Sequence, residues 1–406
     1  MYIKVQRVEQ QLIPRGHPKY KIIDEMCKNS KDLYNYANYI LRQEFIGNNK
    51  YISYYQMNSN LKTHELYKAC MSQPANCVLR ALDKNWKSFF VAIKDWNEHK
   101  DKYLGMPKPP KYLKKNGRFN WMIPNNSCYI EGNDLHFRIR KLQDYHWKCR
   151  NLGRLIQVRF VPKGSCYLME IVYEVEINYH VINDSARICS IDLGINNFVT
   201  MTNNIGSRPI IINGKGIKSI NQHYNKVRAK EQSRLMIRHG KTWSRKLDDI
   251  TQKRFRKIKN YIHNTSSFII KYCIENNIDT IVIGKNKEWK QNCDMGKINN
   301  QKFIQIPFEM LINQLNYKCE DNNIKLIETN ESYTSGTSFL DGEEPIKGNY
   351  DKSRRGVRGL FKCNNGRLIN SDVNGSLQIM RKVFSNAISY EIGANLTPIV
   401  INATAI

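Results

Sequence analysis

Three short apolar runs follow one another closely, "RICSIDLG" from residue 187, "NFVTMTN" from 197 and "RPIIING" from 208. A long basic helical stretch comes next, then the strand pattern "DTIVIGK", a helix at "PFEMLINQLNYKCEDNN", the strand pattern "IKLIETNE" and a last helix from "DVNGSLQIMRKVF". Runs of this length bounded by turn residues fit buried strands better than helices.

Three consecutive strands, then helix, strand, helix, strand, helix is the order of the α/β ribonuclease H-like fold. Other α/β folds produce similar strings, so topology alone does not decide function. Nucleases of this fold hydrolyse phosphodiesters with two divalent ions, and such hard cations need carboxylates.

The candidate acids lie far apart in the chain. Asp192 stands where the first strand ends, with Gly194 two positions on; a turn-forming role is the alternative reading. Asp372 opens the last helix, where Asp is also a good N-cap. That helix follows the fifth strand and packs beside the first, so Asp372 is expected to face Asp192.

A third acid is expected at the end of the fourth strand, but Gly284 and Lys285 stand there. The next strand offers Glu328 and Glu331. Adjacent strands lie about 4.8 Å apart, a gap that a long Glu side chain can partly recover. Glu331 is favoured, with Glu328 and Glu288 as fallbacks.

Charge fits such a substrate. Lysines and arginines number 64 against 36 acids, a formal net charge of +28, which favours a polyanionic partner over a membrane. No run approaches the roughly 18 apolar residues of a membrane-spanning helix, and the opening "MYIKVQRVEQ" lacks the core of a signal peptide. A reducing compartment is expected. The eleven cysteines contain no C-x-x-C, so neither a zinc ribbon nor a disulfide framework is supported.

The first segment, "YIKVQRV", alternates like a strand, and a helical period then holds to about residue 100. In "SQPANCVLRALDKNWKSFFVAIKDWNEH" Ser72 is a candidate cap, Pro74 sits in the first turn, and Val78, Leu82, Trp86, Phe89, Ile93 and Trp96 form one stripe. The Pro- and Gly-rich "GMPKPPKYLKKNGR" reads as a linker or domain edge. "DLHFRIRKL" and the hairpin "LIQVRFVPKGSCYLMEIVYEVEI" follow, a small antiparallel unit able to close a barrel with the first strand around a helical insertion.

"SIDLGINNFVT", "IVIGKNKEWKQN", "NNQKFIQIPF", "ESYTS", "SFLD" and "RLINSDVNGSLQI", in this order, resemble the transposon-encoded TnpB family over residues 186–385. The resemblance implies an RNA-guided DNA endonuclease with a RuvC-like catalytic domain. Asp192, Glu331 and Asp372 fall on its catalytic, metal-binding positions; Gly284 replaces the usual glutamate, as in a sub-branch where that acid has moved to the "ESYTS" position.

The implied organisation is a wedge β-barrel in two parts (1–18 and 106–184), an inserted helical recognition domain (19–105), the RuvC-like nuclease (185–334), a target-strand-loading loop (335–370), the last nuclease helix (371–390) and a C-terminal tail (391–406). The loop is a degenerate zinc finger: it holds only Cys363, so two Mg²⁺ ions (or Mn²⁺) are expected and zinc is not. Partners are a guide RNA and double-stranded DNA next to a short target-adjacent motif, with no membrane and no protein oligomer. The expected location is the prokaryotic cytoplasm at the nucleoid, or the nucleus for a eukaryotic relative.

Between Lys226 and Lys259 thirteen lysines and arginines stand against three acids, with Gly240 dividing two helices. Lys253, Arg254, Arg256 and Lys257 there, and Lys352, Arg354, Arg355 and Arg358 in the loop, are candidate phosphate contacts. Tyr112, Phe119 and Trp121 are candidates for RNA or motif contacts, or for local core. Alternative functions are a nuclease-inactive RNA-guided regulator, a miniature type V CRISPR effector, a cut-and-paste transposase and a structural RNA-binding protein. The Asp, Glu, Asp order favours the nuclease.

Overall fold

A computed structural model of the protein describes residues 2–178, 187–286, 296–357, 359–385 and 395–403. They fall into two units, Lys4–Glu176 and Ile177–Ile406, the second joined by the first three residues.

In the first unit β1 (Tyr2–Ile13) leads into four helices, α1 (Tyr20–Asn48), α2 (Tyr54–Leu61), α3 (Glu65–Cys70) and α4 (Ser72–Glu98). The α4 stripe is core in its first half: Val78, Leu82 and Trp86 are buried against Leu33, Ala37 and Leu41 of α1. The buried Trp86 indole donates to Asn38 Oδ1 at 3.0 Å. Phe89, Ile93 and Trp96 are only half-buried. Ser72 is the first helical residue and not the cap; Met71 holds that position with a positive φ of 64° and no side-chain capping bond.

Residues 105–118 do not hang free between domains. Asn38 and Arg42 of α1 both donate to the Pro110 carbonyl, and Asn35 bonds Leu113 in both directions. These prolines lie outside any strand, and Pro110 keeps a carbonyl that side chains can hold.

The strands are β2 (Trp121–Pro124), β3 (Cys128–Glu131), β4 (Asp134–Phe137), β5 (Trp147–Lys148), β6 (Arg154–Lys163) and β7 (Cys166–Asn178). They pair as two sheets, β1-β7-β6-β2 and β3-β4-β5. The expected barrel is therefore not closed by continuous pairing among the described residues; one apolar core, with Ile13, Trp121, Phe137, Trp147 and Phe160, is shared by both sheets. Trp121 is fully buried and stacked on Phe160 at 5.3 Å, so it is core. Phe119 packs on Tyr34 at 4.9 Å, and Tyr112 is exposed with Arg42 over its ring.

The second unit is built on β8 (Ile188–Leu193), β9 (Asn197–Asn203), β10 (Ile210–Asn213), α5 (Lys215–His239), α6 (Arg245–Glu275), β11 (Thr280–Gly284), α7 (Lys297–Ile304), α8 (Phe308–Asp321), β12 (Lys325–Thr329), β13 (Leu360–Lys362), β14 (Leu368–Asn370), α9 (Ser371–Val383) and β15 (Ile399–Ile401). Gly240 ends α5 in the left-handed region at φ 58°.

The sheet order is β12-β11-β8-β9-β10-β15, with β8, β9 and β10 antiparallel and β11 and β12 running parallel to β8. This is the ribonuclease H-like arrangement. The tail adds a strand that its three residues did not announce: Ile399–Ile401 pairs parallel with β10 at the sheet edge.

Period-two alternation assigns the two faces of β8. Cys189, Ile191 and Leu193 join the core made with α6 and α8, while Ile188 packs with Val282 of β11 and Ile379 and Met380 of α9. Asp192 is in phase with Ile188 and so lies on the α9 face. Between them Ser190 Oγ bonds the Ser376 carbonyl at 2.7 Å and Thr202 Oγ1 at 2.6 Å. Small side chains with mutually satisfied hydroxyls let α9 approach the sheet closely.

Candidate active site

The approach of α9 delivers Asp372 to Asp192. The last helix is capped by Asn370, whose Oδ1 accepts from the N–H groups of Asp372 (3.0 Å) and Val373 (3.1 Å). Asp372 is thus relieved of the capping role that its position allows. Its Oδ2 instead accepts from Asn197 Nδ2 at 2.6 Å, an amide at the start of β9.

Three and four residues further along the same helical face stand Gly375 and Ser376. A Cβ at 375 would lie 3.0 Å from Asp192 Oδ2. Gly375→Ala should improve helix propensity by up to about 1 kcal/mol while displacing the carboxylate. Unchanged or higher melting temperature with roughly tenfold lower cleavage is expected; a variant as active as wild type would show that the spacing does not matter.

Glu331 follows β12 and reaches the same cavity from the other side. Gly284 pairs with Thr329 across β11 and β12, and a Cβ on Gly284 would lie 2.6 Å from Ile379 Cδ1 and 3.2 Å from Glu331 Cβ. A side chain at 284 would have to push the Ile379 tip aside and crowd Glu331, and the glutamate enters instead from two residues past the neighbouring strand. Asn286 fixes it with two bonds: its Nδ2 donates to Glu331 Oε1 at 3.0 Å, and its Oδ1 accepts from the Glu331 N–H at 3.2 Å. Lys382 of α9 holds the Ser332 carbonyl at 2.9 Å.

Glu328 is excluded by register. It pairs with Ile283, whose side chain belongs to the α6 and α8 face, and its carboxylate meets Lys285, which also binds Glu309 of α8. Glu288 lies outside the described residues, as does Arg358.

Asp192, Glu331 and Asp372 line one cavity of about 510 Å³, together with Asn286, Tyr333, Tyr350 and Arg355. Burial pushes the Asp192 carboxyl well above its usual range, the neighbouring Asp372 and Glu331 push it further, and Arg355 and the Leu193 N–H oppose them. Burial also raises Glu331, with Lys382 opposing. Such a pattern marks a site short of positive charge.

Among the described residues no three His, Cys, Asp or Glu side chains form a ready metal cage. The lining is all hard oxygen and nitrogen chemistry, with neither Cys nor His. Gly194 serves the turn and not a ligand: a Cβ there would meet the Asn197 carbonyl at 2.6 Å.

The loop of 335–370 is ordered by its own core, in which Phe339, Phe361, Cys363 and Ile369 pack on Val373 and Leu377 of α9. Arg354 turns inward, with both Glu343 oxygens 2.9 Å from its Nη1, so its charge holds the loop together. Lys352 and Arg355 are exposed, and Arg355 reaches the acidic cavity. Lys253, Arg256 and Lys257 are exposed on α6, whereas Arg254 is half-buried. The supporting amides Asn197 and Asn286 were missed in the sequence, where no local pattern distinguishes them from turn residues.

A ribonuclease H-like sheet with an acidic cavity where β8 ends and α9 begins defines the class. Residues 170–290 match the OrfB_IS605 family, described as a probable transposase, and residues 308–379 match the Cas12f1-like TNB domain. The TnpB-like protein ORF457 of Acidianus two-tailed virus is 24% identical over 409 residues, covering 91% of this chain and 85% of that protein. The chain is thus similar to TnpB-like proteins over most of its length.

Similar solved structures include a Cas12f1–sgRNA–target DNA complex (15% identity, 92% of this chain and 98% of that one, TM-score 0.38). Another is the mini-RNA-guided endonuclease CRISPR-Cas_phi3 (10% identity, 94% and 92%, TM-score 0.48).

Proposed function

We propose that the protein is an RNA-guided DNA endonuclease that pairs a guide RNA with target DNA beside a short target-adjacent motif and hydrolyses phosphodiester bonds. The observation that carries this reading is the convergence of Asp192, Glu331 and Asp372, 139 and 41 positions apart in the chain, on one cavity. Its similarity to a TnpB-like protein over most of the chain supports the partners.

Asp192, Glu331 and Asp372 would hold Mg²⁺, and Mn²⁺ by the same oxygen chemistry. When bound, two such ions supply Lewis acidity that activates water and stabilises the leaving oxygen. The chain's own groups do the positioning. Asn197 and Asn286 orient two of the carboxylates, α9 sets the distance of the third, and Arg355 offers a guanidinium to the scissile phosphate. Pairing with the guide selects sequence, while the protein senses duplex shape and the adjacent motif. The reaction would belong where the DNA is, in the cytoplasm of a prokaryotic cell or in the nucleus for a eukaryotic relative.

The test is to purify the chain with its co-purifying RNA, sequence that RNA, and add a plasmid carrying the matching sequence with Mg²⁺. Cleavage that needs both the RNA match and the metal is expected. An RNA flanked by CRISPR repeats would make the protein a miniature type V effector. Guided binding with no cleavage in Mg²⁺ or Mn²⁺ would leave the regulator reading in its place.

A further inference from the structure

Away from the acids, a cavity of about 360 Å³ opens between α5 and α6. Ser219 and His223 face it from α5, and Lys253 and Lys257 from α6, with Tyr224, Arg254 and three aliphatic side chains completing its lining. Each pair is spaced by four residues and so shares one helical face, which sets donors on both walls. Among the described residues no carboxylate lines it.

The Tyr224 ring is held beneath two guanidiniums, Arg254 at 4.9 Å and Arg228 at 5.9 Å from its centroid. Arg254 is half-buried, yet its hydrogen bonds go to neutral oxygens, Asn221 Oδ1 at 2.7 Å and the Gln305 carbonyl at 3.1 Å. Burial and the Arg228 charge both lower its pKa, against an opposing effect of Tyr224. The α5 side is braced by reciprocal amide bonds between Asn225 and Gln305 at 3.2 and 3.0 Å. A partly desolvated cation on a braced frame, with no carboxylate partner among the described residues, is compensated by an incoming anion.

We propose that this cavity seats one backbone phosphate of a nucleic-acid strand, with Arg254 at its floor and Lys253 and Lys257 as point charges at its mouth. Exposed Lys226, Lys230 and Arg256 on the same two helices extend the positive surface, so a polymer of phosphates is favoured over a single small anion. The site shares with the proposed function only the claim that the chain binds nucleic acid; it is independent of cleavage.

The test is fluorescence anisotropy on the full chain in chelator, with a labelled single-stranded RNA and a DNA of the same sequence, across a salt series. Lys253→Gln with Lys257→Gln should reduce the slope of log affinity against log salt by about 0.7, the share of one phosphate on a single strand, and weaken binding roughly fourfold at 0.15 M salt. Loss with RNA alone, DNA alone or both supports the seat and names the strand.

Lys226→Gln with Lys230→Gln removes equal charge outside the cavity and should have a smaller effect. An equal effect from that pair, or an unchanged slope for the cavity pair, overturns the proposal and leaves the nuclease reading intact. Both cavity lysines are exposed, so melting temperature should not move; a fall in melting with no change in slope also overturns it. Failure of the wild-type chain to bind either strand removes both readings.

Discussion

Replacing Asp192 with asparagine is expected to abolish DNA cleavage and, without metal, to make the protein more stable. The two effects have one cause. Asp192 is aimed at the α9 face by the alternation of β8, where burial, Asp372 and Glu331 all disfavour its charge. A cation would reverse that penalty, and losing the carboxylate should cost several kcal/mol of transition-state stabilisation, roughly 10³-fold in rate.

The sign of the stability effect follows from linkage. With its pKa raised in the folded state, Asp192 keeps a proton that the unfolded chain releases, so stability falls as pH rises from the ordinary carboxylate range through the raised value. Each unit of that displacement is worth about 1.4 kcal/mol. Asparagine has no charge to oppose, so the variant should melt higher than wild type at neutral pH in chelator, with the difference closing towards pH 4. Added Mg²⁺ should stabilise wild type by mass action and leave the variant unmoved. A variant that cuts, or whose melting difference does not depend on pH, would contradict the site. The same titration predicts that cleavage falls on the acid side, and that higher Mg²⁺ moves this limb to lower pH.

The second large effect separates two neighbouring glutamates. Glu331→Gln should lower cleavage by roughly 10²-fold or more, whereas Glu328→Gln should stay within about twofold, because Glu328 belongs to the opposite face of the sheet and pairs with Lys285. Asn286→Ala should fall between them, since it removes both bonds that orient Glu331 but leaves the carboxylate. Cleavage rates on one matched plasmid, measured across a Mg²⁺ series, give the ranking; equal losses at 328 and 331 would show that neither acid is specifically placed.

Most of the order of strands and helices from β8 to α9 was legible because those elements carry their own periodicity: three short apolar runs, a basic helical stretch divided at Gly240, and alternating strands and helices after it; the short α7, β13 and β14 were not read. The same runs placed Asp192 and Asp372 at element ends. In the first unit the pattern showed strands but not their partners, and pairing decided for two sheets around one core. The strand at Ile399–Ile401 was too short to carry a period at all.

The chain's local chemistry thus determined the longer elements, where acids stand on them, and that the protein is strongly basic. Only the folded arrangement decided which acids act together. A one-residue change of phase turns a strand side chain to the other face, so Glu328 and Glu331 are equivalent as residue types and opposite as placements. The fit of α9 against β8, set by Gly375 and Ser376, and the close approach of Ile379 to Gly284 are contacts between distant segments. Packing of that kind leaves no mark in any local window of sequence.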